Sequence, residues 1–101
     1  MEQDNQQRLD LEIERRFHYV EYPNGVTSFI WKDGRGESVF MESMSVEHLK
    51  FSIGKVRKDK AAFQRKYKGA LNEDEMMSAL IPLVDKKLNE LQAVLNKKTS
   101  N

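Results

Sequence analysis

MSVEHLKFSIGKVRKDKAAFQRKY, residues 44–67, decides how this chain is read. Val46, Leu49, Ile53, Val56, Phe63 and Tyr67 recur at helical spacing, with one miss at Lys60. An α-helix brings such positions onto one face. The stretch therefore predicts a helix of about six turns, roughly 34 Å long, with a narrow apolar seam. Ser45 offers a side-chain oxygen to the helix start, Met44 and Leu49 are spaced as a hydrophobic staple, and Glu47 suits the positive end. Lys68-Gly69 supplies a basic last turn and a residue for the left-handed stop. Gly54 weakens the helix interior by ~1 kcal/mol relative to alanine, which points to another backbone or a ligand coming close.

Beyond that helix, Asn72 reads as a cap and Glu73, Asp74 and Glu75 as an acidic first turn. Met77, Leu80, Ile81, Val84, Leu88, Leu91 and Leu95 form a stripe wide enough for two neighbours. Pro82 removes one backbone bond, to Ser78, and predicts a kink. Two helices of similar length, 45–67 and 73–95, joined by a short loop predict an antiparallel hairpin.

Ahead of the helices the signals conflict. Leu9, Leu11, Ile13, Phe17 and Tyr19 alternate as a strand would, whereas Asp4, Arg8, Glu12 and Arg16 make an i,i+4 ladder of opposite charges that favours a helix. The alternation runs on into RRFHYVEY with no breaker, so a strand over about 11–22 is expected. Pro23 and Gly25 then predict a turn, VTSFIW a second strand, Asp33-Gly34 a second turn, and ESVFM a third strand. The expected fold is α+β: one domain over 1–101, with a three-stranded antiparallel meander in about 11–43 followed by the helical hairpin, and with 1–7 and 96–101 frayed.

The formal net charge is only +1, but it is unevenly spread. Residues 1–43 carry five basic and nine acidic side chains, whereas residues 44–68 carry eight and two. A basic block of net +6 on one helix invites an anionic partner; its plainer meaning is a solvated helix face. The near-neutral whole counts against nucleic acid. There is no cysteine, hence no disulfide or thiolate chemistry. Neither a membrane span nor a signal peptide is read, and a cytoplasmic location is expected.

Catalysis finds little support. The two histidines, His18 and His48, lack the spacing of a metal site, and no nucleophile elbow or phosphate-binding glycine loop is present. Ser45 and His48 are one turn apart, but capping accounts for Ser45. A non-enzymatic binding protein is expected, with no cofactor and no metal. On the first long helix, Lys50, Phe51, Arg57, Lys58 and Arg65 lie off the apolar seam, and an aromatic such as Phe51 there needs a cover. Arg57 is the leading ligand-binding candidate, because a guanidinium grips phosphate through paired hydrogen bonds; it is placed about two turns beyond Phe51, on nearly the same face. Lys50 and Lys58 add charge. Trp31 is either a stacking platform for a planar ligand or, more commonly, a core plug. The wide stripe and outward Phe51 together predict a homo-oligomer.

Trp31, the glycine turn after it and then SMSVEHLKFSI (43–53) resemble small bacteriophage proteins in which Met-Ser/Thr-x-x-His-Leu opens a helix. The layout is similar to that of the Thoeris anti-defence sponges over about residues 29–95. That resemblance implies an N-terminal antiparallel sheet, two long helices, oligomeric assembly and sequestration of a cyclic ADP-ribose-type or cyclic nucleotide signal. The pattern has Asn where this chain has Phe51, so no binding residue is carried over. Two functions are expected as alternatives: a nucleotide-signal sponge that counters bacterial immunity, or a protein–protein inhibitor of a host defence complex, of the anti-CRISPR kind.

Overall fold

The computed structural model describes residues 2–23 and 25–100. Met1 and Asn101, at the ends expected to fray, and Asn24 of the first expected turn lie outside the described residues. Helix α1 spans Glu2–Arg15, strand β1 Ile30–Lys32, strand β2 Ser38–Phe40, helix α2 Val46–Tyr67 and helix α3 Glu73–Thr99. Single 3-10 turns stand at His18–Val20 and Met41–Ser43.

The apolar seam of α2 is buried as its spacing predicts: Leu49, Ile53, Val56, Phe63 and Tyr67 all enter the core, and Val46 packs against it. The Ser45 side chain accepts from the His48 amide at 3.0 Å, so capping is what that pair does. Gly69 takes the left-handed conformation, at φ 79°, that ends the helix. Lys60, the miss in the seam, reaches Asp85 of α3 at 2.6 Å. Helix α3 returns along α2 and buries Met76, Leu80, Val84, Lys87, Leu91, Val94 and Leu95. Met77, Ile81 and Leu88 of the expected stripe are only partly covered. The helix runs through Pro82 and on to Thr99, so residues 96–99, expected as part of a frayed tail, belong to α3. Asn72 holds the cap position without a capping bond; its side-chain Nδ2 instead donates to Asn5 Oδ1 of α1 at 3.0 Å.

The main correction concerns the N-terminal third. Residues 2–15 are helical, so the expected strand over 11–22 does not form. Leu9, Glu12 and Ile13 turn inward at helical spacing while Leu11 stays 45% exposed. The alternation of Leu9, Leu11 and Ile13 was therefore fortuitous; the helix that the charge ladder favoured forms, although Glu12 pairs with Lys66 and Tyr67 rather than along the ladder. After α1 the chain turns sharply and drives Phe17, Tyr19 and Val20 into the core. Pro23 and Val26 close a turn, Val26 N–H donating to the Pro23 carbonyl at 3.0 Å, but it joins no two strands. Two antiparallel strands remain of the meander, with Trp31 opposite Val39. The second expected strand shortens because Phe29 adopts φ 57°, which no extended run allows. In the hairpin loop the positive φ falls on Gly36 rather than Gly34, and the Asp33 carboxylate accepts from the Arg35 and Glu37 amides. Among the described residues the fold is mixed α/β, with a two-stranded sheet and three helices, not a three-stranded meander with two.

Candidate functional site

Seen down α2, residues 50, 54 and 58 form one i,i+4 row and residues 51, 55 and 59 the next. Together they line a surface depression of about 550 Å³. Phe51 is 71% exposed beside it, and Lys50 and Lys58 are exposed. Gly54 opens its floor: nothing lies within 4 Å of where a Cβ would sit. The close backbone that a mid-helix glycine suggested is thus not there among the described residues.

The 55–59 row ties this surface to the core. The Tyr19 hydroxyl donates to Asp59 Oδ2 at 3.0 Å, and Lys55 Nζ donates to the same oxygen at 2.8 Å. Burial first, and the Asp59 charge second, push the Tyr19 hydroxyl well above its ordinary pKa, which keeps it a neutral donor. Lys55 is therefore the cation that answers Asp59. Among the described residues, Lys50, Arg57 and Lys58 form no ion pair.

Three of the five residues expected from sequence, Lys50, Phe51 and Lys58, are brought together here. Arg57 is not among those lining the depression, although it is exposed. Six residues turn a helix through about 600°, leaving Arg57 about 120° around the axis from Phe51, so the expectation of a shared face was a misreading of the helical period. Trp31 is elsewhere too. It is 4% exposed and stacks on Tyr19, with ring centroids 4.9 Å apart and planes 9° from parallel. It is a core plug here. Lys55 and Asp59 were missed as site residues, and Gly54 was noted only for a close approach; the signal for all three was the i+4 step from Lys50 and Phe51.

The surface offers a phenyl ring inside a collar of ammonium groups, suited to an anionic partner with an apolar spot. Among the described residues, no group of three or more His, Cys, Asp or Glu side chains is placed to hold a metal ion. No helix of the described residues is long and apolar enough to cross a membrane. No protein-family model, curated protein or solved structure matches this chain.

Proposed function

We propose that this chain is a non-enzymatic binding protein that meets an acidic protein surface with the outer face of α2. The observation that carries the reading is Phe51, 71% exposed between lysines on the helix face opposite the buried seam. Covering a phenyl ring is worth roughly 1.5–3 kcal/mol, and anchoring aromatics commonly dominate interface energetics. The basic balance of residues 44–68 would draw an acidic partner and speed its approach. The depression is open on its solvent side, whereas small-molecule sites enclose most of their ligand. That favours a protein over a free nucleotide at this face. An inhibitor that covers the working surface of a host defence protein fits this geometry, and the bacteriophage-protein resemblance of residues 43–53 is compatible with it.

Sequestration of a cyclic nucleotide or ADP-ribose-type signal is the second reading. The same resemblance supports it, and at this face it requires a second copy of the chain to close over Phe51, so a homo-oligomer belongs to it.

Affinity capture with the wild type and with Phe51→Ser/Lys58→Glu in parallel tests the first reading. A host protein retained by the wild type and rebound in purified form should lose at least about tenfold in affinity for the variant. Native mass spectrometry tests the second: an oligomer carrying a nucleotide would favour sequestration. A chain that holds neither partner nor nucleotide would overturn both.

A further inference from the structure

Between α1 and the C-terminal end of α2 lies a recess of about 300 Å³ whose walls are cationic. Arg8, Leu11, Glu12 and Arg15 line it from one face of α1, at the i, i+3, i+4 and i+7 positions that a helix aligns. Arg16 follows just past the helix end, and Lys66 and Tyr67 close the recess from the last turn of α2. Four cations thus face one carboxylate. That carboxylate, Glu12, is buried, and it accepts from Lys66 Nζ and from the Tyr67 hydroxyl at 3.3 Å. Lys66 is thereby engaged. Among the side chains of residues 5–23 and 25–100, none pairs as an ion with Arg8, Arg15 or Arg16.

Helix dipoles account for part of this arrangement, since basic side chains favour the last turn of a helix. They account for Arg15 and Lys66. They do not account for Arg8, two turns back from the end of α1 and aimed at the same recess. Guanidinium groups that line one recess repel one another, and a bound oxyanion would relieve that repulsion while accepting their paired N–H donors.

We propose that this recess is an oxyanion site that takes the phosphoryl or pyrophosphoryl end of a small molecule, with Arg8, Arg15 and Arg16 as the binding groups. Its volume is at the lower end of small-ligand sites. The one aromatic ring beside it is not offered for stacking: Tyr67 is 5% exposed, tilted against Phe63 with centroids 4.9 Å apart, and covered by the Lys66 ammonium at 5.5 Å. The site therefore recognises the charged end of its ligand and not a base. It is independent of the outer face of α2, and neither needs the other to be correct.

Isothermal calorimetry at low ionic strength tests this, with inorganic pyrophosphate, orthophosphate, ADP and adenosine titrated into the full chain. Pyrophosphate and ADP should bind similarly at one site per chain, orthophosphate more weakly and adenosine not at all. Arg15→Gln/Arg16→Gln should weaken pyrophosphate by at least about tenfold, and Arg8→Gln severalfold. Lys50→Gln/Lys58→Gln, on the other surface, should leave it unchanged. Circular dichroism confirms that each variant is folded; should the double variant fail to fold, Arg8→Gln decides alone. The proposal is overturned by the absence of saturable pyrophosphate binding up to about 5 mM, roughly −3 kcal/mol. It is equally overturned by undiminished binding in the folded arginine variants, or by equal losses from the Lys50/Lys58 pair.

Discussion

Lys87 Nζ donates to the Ile30 carbonyl at 2.6 Å, with the lysine side chain wholly buried. Met41 N–H donates to the Phe29 carbonyl and Asp33 N–H to that of Glu37, so by antiparallel alternation the Ile30 carbonyl faces away from β2. A lysine of α3 thus does for the outer edge of β1 what a third strand would do. Tyr22 covers the contact: its ring centroid lies 3.9 Å from Lys87 Nζ, and its hydroxyl donates to Glu90 Oε1 at 2.8 Å. Lys87 and Glu90 are 3.8 Å apart. A two-stranded hairpin is marginal alone, and this cluster fastens it to the helices.

Burial lowers the Lys87 amine from 10.5 to about 8, against the opposing pull of Glu90. Between pH 8 and 10.5 the unfolded chain holds a proton there that the folded chain has released, so stability should climb with pH across that window, by an amount on the order of 3 kcal/mol. Burial raises the hydroxyls of Tyr19, Tyr22 and Tyr67, so above about pH 10 unfolded tyrosines ionise first and the slope reverses. Urea midpoints at pH 7, 8, 9 and 10 should trace the climb. Lys87→Met should flatten it, while leaving the Ile30 carbonyl unpaired at a cost of ~1–3 kcal/mol at pH 9.

Phe51→Ser should leave stability within about 0.5 kcal/mol of the wild type, because its side chain is largely in water already. Thermal unfolding checks this. A loss above about 2 kcal/mol would mean that a second copy covers the ring in solution, and light scattering on both proteins would show it.

Pro82 is exposed within a helix that continues on both sides of it. Pro82→Ala restores a donor to the Ser78 carbonyl and should stabilise the fold slightly or leave it unchanged. Destabilisation beyond ~2 kcal/mol in urea unfolding would show that the packing of α3 requires the proline's geometry.

Trp31 is the single tryptophan, and it stacks on Tyr19 in the core. Its fluorescence should be blue-shifted and poorly quenched by iodide, and it should remain so when pyrophosphate or a protein partner binds. Quenching as efficient as in urea would return Trp31 to the surface as a stacking platform.

The two long helices were legible because their information is local. Period-3.6 spacing, Ser45 and Gly69 settle where α2 begins and ends whatever packs on it, and Glu73 opens α3 where its acidic turn begins. The lysines around Phe51 were legible for the same reason, once the i+4 step is followed strictly. Residues 8–22 were not legible: alternation and charge ladder are both short-range patterns, and they disagreed. Helix won because Glu12, Leu9 and Ile13 find partners and cover at helical spacing, among them Lys66 and Tyr67, more than fifty residues away in the chain. The cationic recess arises from the same distant pairing, since Arg8, Arg15 and Arg16 converge with Lys66 only after α1 docks on the end of α2. Tertiary structure likewise decided that Trp31 turns inward onto Tyr19 and that a buried lysine replaces the missing strand. Helical periods are written in neighbouring residues; which charges and rings share a space depends on contacts between segments that no local pattern specifies.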